Sequence, residues 1–181
     1  MIYLMMIDSE EDKCKFEVLY KKYRNLMFAE AKKVLKDNYL AEDAVHDSFV
    51  KIINNFEGIS SVESKKTKNF VMVITKNTVC DAYRKKVNSM KREIPADEDE
   101  DSDIYIYDKG KDLSDILCTD NKVLNVIRNL PMKYKEVYLL KFVNGYNNRE
   151  IAKILNISEE TVRQRISRGR NIIESILKGV Q

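Results

Sequence analysis

Apolar residues recur at helical spacing along most of the chain. Over residues 12–36, Phe16, Leu19, Tyr20, Tyr23, Met27, Ala31, Val34 and Leu35 fall three and four apart, which predicts a long amphipathic helix. Asn38 and Tyr39 read as a turn. Residues 40–56 predict a second helix with Ala44, Val45, Phe49, Ile52 and Ile53 on its apolar side. The stretch 58–68 contains Ser60, Ser61, Ser64 and Thr67 without a period and reads as a loop. Residues 69–86, with Phe70, Val73, Ile74, Val79 and Tyr83, predict a third helix. The pattern lapses after Ile94-Pro95, where residues 96–103 are an acidic run with no core-forming side chain, read as a flexible linker. It resumes near Ser114, with helices expected over 114–129, over 131–143 from Pro131 in a first-turn position, over 148–155 and over 158–177. The expected fold is all-α: two small helical domains, residues 1–86 and 114–181, joined by an acidic flexible linker, 87–113.

Composition supports helices. Only 5 Gly and 2 Pro occur in 181 residues, so turn breakers are scarce. No apolar run reaches the roughly 18–20 residues a membrane span needs, so no membrane insertion is expected. Met1–Ile7 is apolar but short, lacks a basic flank, and runs into Asp8-Ser9-Glu10-Glu11-Asp12, unlike a secretory leader. Cys14, Cys80 and Cys118 are scattered and read as reduced thiols, which fits a cytoplasmic protein. Net charge is only +3, but it is unevenly placed. Residues 1–92 carry 18 basic against 13 acidic side chains, residues 93–120 carry 2 against 11, and residues 121–181 carry 12 against 5. Two basic blocks flank an acidic one, a distribution suited to contact with a polyanion.

The most specific local pattern is residues 148–167, which have the layout of a helix-turn-helix. Ile151, Leu155, Ile157, Val162 and Ile166 stand where two crossed helices pack, and Ala152 is small at their closest approach. Asn156 occupies the tight turn, where Asn tolerates a left-handed backbone, and Ser158 is an N-cap. The second helix then presents Thr161, Arg163, Gln164, Ser167 and Arg168, with Arg165 and Arg170 beside them. Arg and Gln suit bidentate contacts to base edges, and further Arg residues suit phosphates. Nothing points to covalent chemistry. His46 has no nucleophile in a recognisable arrangement, and no phosphate-binding glycine loop or metal-ligand cluster occurs, so no catalytic residue, metal or cofactor is expected.

The N-terminal half narrows the class. Ala41-Glu42-Asp43-Ala44-Val45-His46-Asp47-Ser48-Phe49-Val50-Lys51-Ile52 resembles the polymerase-binding helix of bacterial RNA polymerase sigma factors. Phe70–Ile74, with Asn77, Asp81, Arg84 and Lys85, resembles their promoter-melting helix. Leu130-Pro131 and the helix-turn-helix resemble the domain that reads the upstream promoter element. The order and short length match the extracytoplasmic-function (ECF) group.

The resemblance implies roles position by position. Glu42, Asp43 and Asp47, with Ser48 and Lys51, would meet core RNA polymerase. The 58–68 loop would hold a flipped promoter base, and Asn77, Asp81, Arg84 and Lys85 would line the single-strand path, with Lys86 as a further phosphate contact. Residues 161–170 would read duplex promoter DNA. An anti-sigma protein is the expected further partner. Phe70 stands where the family usually has Trp, and Asn156 where it usually has Gly. Residues 86–116, 31 in all, reach at most about 100 Å when extended, enough to serve separated promoter elements. The competing class is a free-standing helix-turn-helix regulator that binds duplex DNA without polymerase.

Overall fold

The computed structural model describes residues 2–90, 126–127 and 130–178, and every regular element among them is helical. The chain divides into two units, Met1–Glu100 and Asp101–Gln181. The acidic linker and most of the expected 114–129 helix lie outside the described residues. Of that helix, Val126 and Ile127 are described and helical.

Unit one is built on three helices: α1 (Glu10–Leu35), α2 (Asn38–Ile53) and α3 (Lys65–Met90). Each boundary has a local cause. The Ser9 side chain accepts from the Asp12 amide at the head of α1, and Lys36 ends that helix in a left-handed conformation (φ 54°). Asp37 then caps α2 by accepting from the Tyr39 and Leu40 amides. The turn thus lies at Lys36-Asp37, and Asn38 and Tyr39 belong to the second helix rather than to the expected turn. The 58–68 loop is also shorter than expected. A 3-10 turn spans Phe56–Gly58, and α3 starts at Lys65. Ser64 caps it, its Oγ accepting from the Thr67 amide at 3.1 Å, while the Thr67 hydroxyl donates to the Ser61 carbonyl at 2.6 Å.

The core of unit one is aromatic at one end. Phe16, Phe49, Leu19, Met27, Ile52, Phe70 and Ile74 are fully enclosed between the three helices. A 3-10 turn at Ile2–Met6, not anticipated from the sequence, closes this core. It buries Tyr3 against Phe16, Tyr20, His46 and Phe49, with ring centroids 5.2–5.8 Å apart. The Tyr3 hydroxyl and His46 Nδ1 are hydrogen-bonded at 2.8 Å. Burying a Phe side chain is worth roughly 1.5–3 kcal/mol, so this cluster is a large share of the unit's stability. Deeper between α1 and α3, Lys76 pairs with Glu30 at 3.3 Å, both buried.

Unit two contains α4 (Met132–Tyr138), a π-helical turn (Leu139–Val143), α5 (Asn148–Leu155) and α6 (Glu159–Lys178). Pro131 is the N-cap of α4, one position earlier than the first-turn place expected for it. The π turn converts the predicted single helix over 131–143 into two geometries. Its register shows in the Asn144 amide, which reaches the Leu139 carbonyl at 3.0 Å. A reciprocal capping box opens α5: Asn147 accepts from the Glu150 amide and the Glu150 carboxylate accepts from the Asn147 amide. Asn156 ends α5 in the left-handed region (φ 54°, ψ 46°), as its place in the tight turn required. Ser158 then caps α6, its Oγ accepting from the Thr161 amide at 3.0 Å.

Ile151, Leu155 and Val162 are buried where the two motif helices cross, and Ile157 and Ile166 are half-buried beside them. Further along the same side α6 packs on α4 through Gly169, which lies directly against the ring of Tyr138. The Tyr138 hydroxyl donates to the Ile166 carbonyl at 2.9 Å, locking that crossing.

Candidate functional site

The two motif helices set the geometry of α6. Val162, Ile166, Gly169, Ile173 and Ile176 recur at helical spacing along its inner side. At about 100° per residue the remaining positions fall in three lanes. Glu160, Gln164 and Asn171 lie opposite the core. Arg163, Ser167 and Arg170 form one shoulder, and Thr161, Arg165 and Arg168 the other. Arg163, Gln164, Ser167, Arg168 and Arg170 are exposed, whereas Thr161 and Arg165 are half-buried. Thr161 is also occupied locally, since its hydroxyl is hydrogen-bonded to that of Ser158 at 2.9 Å. It belongs to the cap as much as to the exposed surface.

The exposed cations are not all equivalent. The guanidinium of Arg163 folds back toward the helix start. Its Nε and Nη2 donate to Glu160 Oε2 at 3.1 and 2.8 Å, and its Nη1 lies 3.9 Å from Glu159. These two hydrogen bonds and the guanidinium charge hold the Glu160 carboxyl below the usual carboxylate range. Glu160 was not singled out from the sequence, although its i,i+3 spacing to Arg163 carried the signal. Sequence reasoning also passed over Arg149 and Lys153. They lie one turn apart on α5 and border an open groove of about 470 Å³ with Asn156 and Ser158.

In unit one the expected polymerase face divides in two. Glu42, Asp43 and Asp47 are exposed on one side of α2, with His46 among them. Glu42 accepts from Arg24 at 2.9 and 3.2 Å, which ties α1 to α2 beside this face. Ser48 does not belong to it. Its relative exposure is 0%, and its hydroxyl donates to the Ala44 carbonyl at 2.6 Å. The reason is its phase, because position 48 repeats the inward stripe of Ala41, Ala44 and Val45. Lys51 is half-buried and turned to α3, where it donates to Thr78 Oγ1 at 3.0 Å and lies 3.8 Å from Asp81. Ser48 and Lys51 are therefore supports of the helix pair, not members of its exposed acidic face.

Asn77 and Asp81 are half-buried on α3, one turn apart, and Arg84 and Lys85 are exposed toward its C-terminal end. Asp81 accepts from Arg84 Nη1 at 3.2 Å, so it orients that cation as well as Lys51. Lys86, expected as a phosphate contact, instead donates to the Leu35 carbonyl at the end of α1, at 3.3 Å. Phe70 is a core residue. The 59–64 segment is held at its base, where Tyr23 donates to the Val62 carbonyl at 2.9 Å and Lys22 pairs with Glu63.

Two independent family matches cover these units. The family model for Sigma-70 region 2 matches residues 19–88, and that for Sigma-70, region 4 matches residues 120–173. Among curated relatives, the RNA polymerase sigma factor SigZ of Bacillus subtilis (strain 168) is 26% identical over 145 residues, covering 80% of this chain and 77% of that protein. The ECF RNA polymerase sigma factor SigW of the same organism is 27% identical over 161 residues, covering 86% and 85%. Among solved structures, the sigma factor RpoE in complex with the anti-sigma factor NepR from Bartonella quintana matches at 18% identity. It covers 90% of this chain and 96% of that one, with a TM-score of 0.38. The chain belongs to the extracytoplasmic-function group of RNA polymerase sigma factors. It accordingly binds core RNA polymerase and directs promoter-specific initiation of transcription.

Proposed function

We propose a division of this function between the two units. Residues 1–86 bind core polymerase and act on the opened downstream promoter element, residues 87–113 tether, and residues 114–181 read the upstream element as duplex. The supporting observation is the lane structure of α6, where Arg163, Gln164, Ser167, Arg168 and Arg170 are exposed together on a helix fixed by a buried turn. That is the arrangement by which a recognition helix enters a major groove. Arg163 and Gln164 have the chemistry to read base edges. Arg165, Arg168 and Arg170 supply phosphate contacts, and Thr161 and Ser167 lie at the edges of the same surface.

On α2 the polymerase-facing group is Glu42, Asp43 and Asp47. Asp43 and Asp47 have no ion-pair partner among the described residues, so their charge is available to a basic partner surface. On α3, Arg84 and Lys85 are exposed cations suited to a single strand's backbone, with Asp81 and Asn77 one and two turns earlier. The protein performs no covalent chemistry of its own and works in the cytoplasm, with an anti-sigma protein as its restraint when idle. Among the described residues no helix is long and apolar enough to cross a membrane.

Run-off transcription with core polymerase and genomic fragments tests the division. Start sites that need both components give the promoters. On those promoters Arg163→Ala is expected to cost roughly 1–3 kcal/mol of upstream-element recognition. An equal loss on every DNA sequence would reassign Arg163 to a phosphate. Tight, specific duplex binding by the protein alone, with no new starts, would favour the free-standing regulator instead.

A further inference from the structure

One exposed carboxylate engages the arginine best suited to reading bases. Arg163 is held through Nε and Nη2 on a single oxygen of Glu160. Glu159 adds a second negative charge 3.9 Å from the guanidinium. The head of α6 is therefore a poor phosphate site. Two carboxylates stand where a helix N-terminus would otherwise attract an anion, and the nearest arginine is occupied.

Non-specific DNA binding is almost entirely phosphate neutralisation by mobile cations. An arginine already satisfied by a carboxylate contributes little to it. A base edge offering two acceptors can replace the carboxylate in full, because it accepts both guanidinium hydrogen bonds at once. We propose that Glu160 is a specificity-determining residue of upstream-element recognition: it withholds Arg163 from phosphates and releases it only to a matching base edge. This rests on the reading of α6 as the recognition helix.

The test uses the full chain with core polymerase on two probes. One is a promoter fragment mapped by run-off transcription, and the other is a random-sequence duplex of the same length. Binding is measured across a salt series for wild type, Glu160→Ala, Glu159→Ala and Arg163→Ala. Glu160→Ala is expected to tighten binding to the random duplex by about tenfold at low salt, with a log–log salt slope steeper by about 1. The promoter gains less, so the promoter-to-random ratio falls by about fivefold or more, the size of one net hydrogen bond. Glu159→Ala removes the same charge from the same turn and is expected to shift both probes alike. Glu160→Ala added to Arg163→Ala is expected to leave the ratio where Arg163→Ala alone puts it. Equal shifts on both probes for Glu160→Ala, matching Glu159→Ala, would overturn the proposal and reduce Glu160 to a surface charge. A ratio insensitive to Arg163→Ala would instead overturn the underlying reading of α6, and the proposal with it.

Discussion

Gly169 is the position where α6 touches α4, and replacing it by alanine sets two known effects against each other. Ala is favoured over Gly inside a helix by about 1 kcal/mol, so an exposed glycine there would be improved by the change. At Gly169 the added Cβ would stand 2.6 Å from Tyr138 Cε2 and 3.4 Å from Tyr134 Cβ. Carbon atoms prefer separations of roughly 3.5–4.0 Å, so the Tyr138 ring must retreat by about 1 Å. That ring is buried, packed on Phe142 with centroids 5.1 Å apart, and its hydroxyl bonds the Ile166 carbonyl at 2.9 Å. Retreat forfeits a hydrogen bond worth about 0.5–1.5 kcal/mol and adds an overpacking cost of typically 1–3 kcal/mol. The clash outweighs the propensity gain, and Gly169→Ala is expected to destabilise unit two by about 1–2 kcal/mol, a five- to thirtyfold change in the opening equilibrium.

Hydrogen exchange of the α4 amides in the full chain reads this directly. In a Tyr138→Leu background the ring edge is gone, and Gly169→Ala should become neutral or stabilising, so the two substitutions couple strongly. A stabilised Gly169→Ala protein on the native background would refute the packing argument and show that the helices part freely there.

Three further outcomes follow from caps and burial. Asn147→Ala removes the side-chain half of the α5 capping box and is expected to cost about 0.5–2 kcal/mol, seen as faster exchange of the α5 amides and weaker promoter binding. At the left-handed Asn156, substitution by Gly is expected to be neutral or mildly stabilising, whereas Ala costs roughly 1–2 kcal/mol. Thermal melts of the two variants should therefore move in opposite directions or differ by several degrees. Burial raises the hydroxyl pKa values of Tyr3, Tyr23, Tyr138 and Tyr146 above the ordinary tyrosine value. Unfolded tyrosine ionises near pH 10, so above that pH the folded state binds more protons than the unfolded one. Stability is full below about pH 10 and should fall as pH climbs past it. A flat stability curve between pH 9 and 11.5 would contradict the buried placement of these rings.

The helix-turn-helix was legible because every cue in it is local. The apolar spacing, a turn residue tolerant of positive φ and a serine cap fall within 20 consecutive positions. The features the sequence concealed depend on non-local or short-range polar bonds. The start of α3 at Lys65 was hidden by Lys65, Lys66 and Lys68, which carry no apolar period. It is fixed instead by Ser64 and Thr67 hydrogen-bonding around the turn. The end of α1 was blurred because a lysine, not a glycine, adopts the left-handed cap. Ser48 and Lys51 were expected at the polymerase face from the resemblance of the 41–52 stretch, although their phase on α2 points them toward the helix core and α3. Arg163 was rightly expected to be exposed, but its occupation by Glu160 is a matter of rotamer choice that spacing allows and does not dictate. Tyr3 carried no signal, since its partners lie 13 to 46 positions away.

That distance gives the amino-terminal turn a place in time. Tyr3 is synthesised 43 residues before His46, which at about 5–20 residues per second is an interval of roughly 2–9 s. During that interval its ring has no site to enter, because the cavity is formed only when α2 has been made and folded onto α1. The earliest-made piece of the unit is thus among the last to lock, as a latch closing over rings already assembled. Nascent chains halted before and after Phe49 should differ in protease cleavage at Met5–Met6, so that this latch marks when α2 has reached its final setting.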